Sequence, residues 1–205
     1  MKNRDVGQAV SSEIEKIKRI NLDTPTLKSF WDNRYNETYN DVLENNNEIG
    51  RHGIIAEYIN RIIKKGDILD IGCGTGILSE LLDMKLFNYL GIDLSKEALK
   101  KAIEKLPALK ANFKNIRFEE FTSNNIYDVI VCNEVIYYMD IKILLQKCIK
   151  LLDKNGHLIV SVFDFKEGKK LMPVIKAKLE SPFEITIHNP GVNFKWYLLA
   201  GKFKR

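Results

Sequence analysis

Three alternating glycines at the end of a short apolar run constrain this chain more than any other feature. The stretch from Asp67 to Leu82 reads DILDIGCGTGILSELL. Ile68, Leu69 and Ile71 suit a strand buried on both faces, and Ile77, Leu78, Leu81 and Leu82 recur at helical spacing. Between them Gly72, Gly74 and Gly76 form a turn without Cβ atoms, so backbone N–H groups lie open to whatever sits above the strand. A dinucleotide fingerprint, G-x-G-x-x-G, would carry its third glycine where Ile77 stands. Asp70 puts a carboxylate where a pyrophosphate would lie, which suits a cationic or sugar-like ligand better than an anionic one.

The 205 residues are enough for one domain with a full core. The net charge of +5 is spread along the chain rather than blocked, so nucleic acid is not an expected partner. Cys73, Cys132 and Cys148 are odd in number and widely spaced, which suggests neither a disulfide framework nor a metal pair. The N-terminus has no apolar leader segment and no run approaches a membrane span, so a cytoplasmic location is expected.

Taken in order, Ser11 to Ile20 carries a narrow apolar stripe and reads as an amphipathic helix. Asp23-Thr24-Pro25 starts a second helix over Thr26 to Tyr35, and Gly53 to Ile63 shows a clear helical period. Asn88 to Asp93 reads as a second strand with Asp93 at its carboxyl end, where a carboxylate can accept from both hydroxyls of a ribose. Ser95 is the expected N-cap of the next helix, which Pro107 ends. Ile116 to Phe118, Tyr127 to Cys132 and His157 to Phe163 are read as strands three to five, with Ile141 to Leu152 a helix and Asp153 to Gly156 a turn. Lys166 to Leu179 follows as a helix, and Phe183 to His188 and Phe194 to Ala200 close the chain as two strands joined at Asn189-Pro190-Gly191.

The glycine turn with its preceding acid resembles motif I, D-x-G-x-G-x-G, of the class I S-adenosylmethionine-dependent methyltransferases, with Asp70, Gly72, Gly74 and Gly76 at its defined positions. Asp93 matches the second motif. Asn133 and Glu134, leading into Val135-Ile136-Tyr137-Tyr138, resemble the motif after the fourth strand in small-molecule enzymes, including nodulation-type amino-sugar N-methyltransferases. The resemblance implies S-adenosyl-L-methionine as cofactor. It implies contacts to that cofactor from Trp31, Tyr35, Arg51, Asp70, Gly72, Cys73, Gly74, Gly76, Asp93, Leu94 and Asn133. It also implies an adenine site at Glu120 with Phe121, with Glu119 as the alternative acid. Trp31 and Tyr35 match a W-x-x-x-Y pattern that covers the cofactor in some relatives.

The implied fold is a Rossmann-like, doubly wound α/β domain over residues 51–205. Its seven-stranded sheet would be mostly parallel with an antiparallel last strand, and residues 1–50 would form a helical cap or lid. The implied reaction is methyl transfer to a small-molecule acceptor, an amine first, sugar-borne amines included, with a hydroxyl close behind. Glu134, Tyr137, Tyr138 and His188 are the candidate bases or positioners, with Tyr35 beside them. No [DN]-P-P-[FY] or Pro-Cys follows the fourth strand, which argues against nucleobase methylation, and no carboxylate cluster suggests a metal. An RNA or protein methyltransferase, a nicotinamide oxidoreductase and a cofactor-binding module without turnover are the competing readings, and a monomer or homodimer is expected.

Overall fold

In the computed structural model, which describes residues 12, 24–36, 46–189 and 194–205, strand β1 (Gly66–Ile71) runs through the middle of a seven-stranded sheet. β2 (Phe87–Asp93) and β4 (Tyr127–Asn133) flank β1 in parallel, and β3 (Phe113–Asn115) lies beyond β2. β5 (Leu152–Phe163) continues parallel to β4. β7 (Phe194–Phe203) then pairs antiparallel with β5, and β6 (Leu179–Asn189) forms the outer edge. The order β3-β2-β1-β4-β5-β7-β6 reverses direction between β1 and β4. Ligands bind at such a switch point, beyond the carboxyl ends of the two strands.

Both faces of the sheet are apolar, as the unbroken runs in β1 and β4 require. Leu69, Ile71, Ile130 and Cys132 face α5 (Ile141–Leu151) and α6 (Lys166–Lys176) through Leu144, Cys148 and Ile175. Ile68, Val129, Val131 and Ile159 face the other way, onto Ile55 and Ile59 of α2 (Asn46–Ile62) and Leu99 and Ala102 of α4 (Lys96–Lys105). Among the described residues two further α-helices are α1 (Thr24–Asn36) and the single turn α3 (Ile77–Glu80) after the glycines. Ser95 caps α4 as expected, its hydroxyl accepting from the Ala98 N–H at 3.2 Å.

Four boundaries differ from the sequence expectation, the first two through contacts made at a distance. The third strand is Phe113–Asn115, not Ile116 to Phe118. Phe113 lies opposite Gly91, whose bare Cα makes room for its ring, since a Cβ there would sit 3.0 Å from Phe113 Cδ1. Asp153 to Gly156 is not a turn outside the sheet but an irregularity within β5. Gly156 passes the β4 backbone so closely that a Cβ would lie 3.0 Å from the Tyr127 carbonyl oxygen. α6 stops at Lys176 and β6 starts at Leu179, earlier than Phe183. α2 begins at Asn46 instead of Gly53, which brings Arg51 and His52 inside the helix. The expected helix over Ser11 to Ile20 and the turn residues Pro190-Gly191 lie outside the described residues. Among the described residues no helix is long and apolar enough to cross a membrane.

α5 carries Asn133 and its neighbours indirectly, by bracing β4, and its start is held by one side chain. Asp140 Oδ1 accepts from the N–H groups of Lys142 at 2.8 Å and Ile143 at 3.1 Å. Asp140→Ala should lower stability by about 1 kcal/mol, read as a lower urea midpoint at unchanged m-value, and Asp140→Asn should recover most of it.

Candidate active site

The site begins where β1 ends. Gly72, Gly74 and Gly76 all have positive φ, of 70°, 54° and 78°, a region that costs an L-residue strain and glycine nothing. Space matters as much as dihedral angle here. A Cβ on Gly72 would meet Val135 Cγ2 at 2.6 Å, and one on Gly74 would meet the Tyr35 hydroxyl at 2.9 Å. The turn is therefore pressed between the segment after β4 and the end of α1.

Asp93, at the carboxyl end of β2, ties this turn to the next one. Its Oδ2 accepts from Gly74 N–H at 2.9 Å and its Oδ1 from Ser95 N–H at 2.8 Å. Leu94 sits half-buried between them. α1 lies against the same corner. Asp32 Oδ1 accepts from the Ser95 hydroxyl at 2.7 Å and Glu97 N–H at 3.2 Å, and Lys101 donates to the Tyr35 carbonyl. Trp31 meets the ring of Tyr138 edge-on at 4.8 Å. Of the expected lid residues, Trp31 thus borders the segment after β4 and Tyr35 the glycine turn.

Asp70 is buried, and its Oδ2 accepts from the Tyr89 hydroxyl at 2.7 Å. Its Oδ1 is buried with no hydrogen-bond partner among the described residues. Burial pushes its pKa up to about 7, against the Tyr89 hydrogen bond and with help from the charge of Asp93. Burial likewise raises Asp93 to about 6, opposed by the N–H groups of Ser95 and Gly74. The Cys73 thiol, buried beside both, is pushed well up, chiefly by desolvation. Two crowded carboxylates and an unpaired oxygen repel a phosphate. They fit a ligand that brings hydroxyl donors and a cation.

A second polar group caps β4 and β5. Asn133 Oδ1 accepts from Arg51 Nε at 2.8 Å and from the Ser161 hydroxyl, while its Nδ2 lies 2.8 Å from His52 Nε2. Arg51 is 2% exposed, and its guanidinium lies over the Trp196 ring at 5.2 Å. Glu134, at φ 60°, accepts from the Tyr137 hydroxyl at 3.0 Å and Phe163 N–H at 3.0 Å, and its Oε1, 3.1 Å from Ser161 Oγ, shares that hydroxyl's single proton with Asn133 Oδ1. A carboxylate with two donors of its own, a shared third and strained backbone is built to hold its neighbours in place.

Other expected residues stand differently. Glu120 is exposed and accepts from the Thr24 hydroxyl at 2.6 Å, while Glu119 pairs with Arg117 at 3.1 Å. Phe121, 2% exposed, packs into the core. Lys147 Nζ fixes this loop by donating to the carbonyls of Phe118, Glu119 and Phe121 at 2.8, 2.9 and 2.7 Å. His188 lies on β6, three strands from β4, or about 14 Å at ordinary strand spacing. It is exposed and stands apart from Glu134 and Tyr137.

Sequence reasoning missed Asp32, His52, Tyr89, Lys147, Ser161 and Trp196. Only His52 had a usable signal: running the α2 period back one turn from Ile55 sets Arg51 on its face, with His52 beside it.

The raised carboxyl groups give stability a definite pH dependence. Between 3.8 and about 7 the folded chain holds a proton on Asp70 that the unfolded chain has lost, so this group's contribution falls as pH rises through that window. Asp70→Asn keeps an acceptor for Tyr89 and removes the ionisation. Urea unfolding should show the variant gaining on the parent chain from pH 4 to pH 7, and a gap independent of pH would contradict the assignment.

The comparisons with known proteins agree with this geometry. A family model described as a methyltransferase domain matches residues 48–185. The ubiquinone biosynthesis O-methyltransferase of Cronobacter sakazakii (strain ATCC BAA-894) is 33% identical over 135 residues, covering 62% of this chain and 54% of that protein. The chain thus spans about half the length of this curated relative. Among solved structures, the N-methyltransferase NodS from Bradyrhizobium japonicum WM9, in complex with S-adenosyl-L-homocysteine, superposes with a TM-score of 0.63 at 17% identity, over 80% of this chain and 91% of that one. The 1,6-didemethyltoxoflavin-N1-methyltransferase of Burkholderia thailandensis gives 0.68 at 15% identity, over 87% and 88%. These two likenesses establish the shared fold. With a matching model over more than half its length, and with the fold to go with it, the chain belongs to the methyltransferase-domain family.

Proposed function

We propose that this chain transfers a methyl group from S-adenosyl-L-methionine to a hydroxyl group of a small molecule. The observation that carries the reading is the buried acidic pair at the glycine turn, with Asp93 stitched to Gly74 and Asp70 keeping one oxygen unpaired among the described residues. Such a corner suits a nucleoside with a cationic tail and disfavours a dinucleotide. The hydroxyl acceptor is supported by the O-methyltransferase name of the curated relative. The amine acceptor expected from the Glu134 to Tyr138 run ranks second, since the N-methyltransferase neighbours speak only for the fold.

In this reading Asp93 accepts from the ribose hydroxyls, the glycine turn lies under the nucleoside and Asp70 faces the ammonium of the amino-acid tail. Arg51 takes its carboxylate. Glu120 is the acid nearest the adenine, with Glu119 as alternative, and the buried Phe121 supports that loop from below. S-adenosylmethionine supplies, when bound, a methyl group already activated on a sulfonium. Catalysis then asks the chain mainly for alignment and exclusion of water. α1, the described helix within the cap expected over residues 1–50, covers the pocket with Trp31 and Tyr35. Glu134, fastened by the Tyr137 hydroxyl and Phe163 N–H, and Tyr137 are positioners, and Trp31 and Tyr138 wall the acceptor side.

A thermal-shift titration tests this. S-adenosylhomocysteine should raise the unfolding midpoint in a concentration-dependent way, and NADH and NADPH should not. Asp93→Ala should weaken S-adenosylhomocysteine by roughly 10–100-fold, the range expected when hydrogen bonds to a charged group are lost. A response to a nicotinamide in place of S-adenosylhomocysteine would overturn the reading.

A further inference from the structure

His52 is assigned no part by the family motifs, yet it joins a part-buried network that reaches Arg51 through the Asn133 amide. Arg51 Nε can only donate, so the atom it meets at 2.8 Å must be the amide oxygen. The Ser161 hydroxyl donates to that same oxygen. The amide nitrogen therefore points the other way, at His52 Nε2, 2.8 Å off. An amide nitrogen only donates, so Nε2 must accept, and the ring proton sits on Nδ1. One histidine tautomer, one amide orientation and one guanidinium position thus imply each other. Arg51 and Ser161 are buried, so each of these bonds counts for more than it would in water.

We propose that His52 is a positioning residue for the amino-acid end of the cofactor, acting through Asn133 on Arg51. This rests on the S-adenosylmethionine reading above. With His52 in place the amide cannot turn, and its oxygen holds Arg51 where a carboxylate would meet it. Without His52 the amide nitrogen loses that acceptor, the amide is held at its oxygen alone, and the partner of the Arg51 Nε is less firmly placed. The nucleoside end, on Asp93 and the glycine turn, is held by other bonds and is untouched.

The test compares two ligands that share the nucleoside and differ in the tail. S-adenosylhomocysteine carries the amino acid, and 5′-methylthioadenosine lacks it. By calorimetry, His52→Ala should weaken S-adenosylhomocysteine roughly tenfold, the loss expected for a charged hydrogen bond put out of place. Its affinity for 5′-methylthioadenosine should stay within about twofold. His52→Gln, whose Oε1 can accept from Asn133, should restore most of the loss. Equal weakening of both ligands, or no change in either, would overturn the proposal and leave His52 as a fastener between α2 and β4. If the parent chain binds neither ligand, the cofactor reading fails with it. A ring-nitrogen NMR spectrum of the unliganded chain at neutral pH gives an independent reading, whatever the variants do. The Nδ1–H tautomer with a bare Nε2 is expected, and a proton on Nε2 would overturn the proposal.

Discussion

The Asp93 carboxylate spans two turns that the chain reaches separately, and the corner at β1 and β2 depends on it. One oxygen holds Gly74 and the other holds Ser95, so the loop after β1 and the start of α4 cannot move apart. That clasp has a cost, because burial, with the charge of Asp32 nearby, raises the carboxylate's pKa to about 6. A fold that only needed a tight turn would use a neutral side chain there. Keeping two buried acidic groups close enough to feel each other's charge, one with an oxygen unpaired among the described residues, makes sense when a ligand brings the donors and the positive charge that the chain withholds.

The polar cap on β4 and β5 obeys a different logic. Its bonds come mostly from other elements, Arg51 from α2 and Ser161 and Phe163 from β5, with Tyr137 adding one from within the segment after β4. Glu134 adopts φ 60° to take part. The acidic corner waits for charge, whereas this cap is braced by bonds among its own side chains. Alignment of a methyl donor and an acceptor calls for that combination of a receptive side and a fixed side.

Local features were legible in the sequence and distant ones were not. Gly72, Gly74 and Gly76 announce a turn because their requirement is a matter of their own dihedral angles, and Asp93 is placed by the strand it ends. Ser95 declared itself as an N-cap for the same reason. By contrast, β3 slides to Phe113 because Gly91, in another strand, leaves room for a ring. Asp153 to Gly156 looks like a turn until the backbone of β4 runs beside it. α2 starts at Asn46, through residues poor in helix propensity, and the burial of Arg51 over Trp196 accompanies that extension. His52, Ser161 and Tyr89 have partners 81, 28 and 19 residues away, separations that no periodicity reports.

A crystal structure of the chain with S-adenosylhomocysteine tests the central claim most directly. The account predicts the ribose hydroxyls on the Asp93 carboxylate, the nucleoside above Gly72 to Gly76 and the amino-acid tail between Asp70 and Arg51. Density for the ligand elsewhere on the sheet, or a ribose that makes no contact with Asp93, would contradict it.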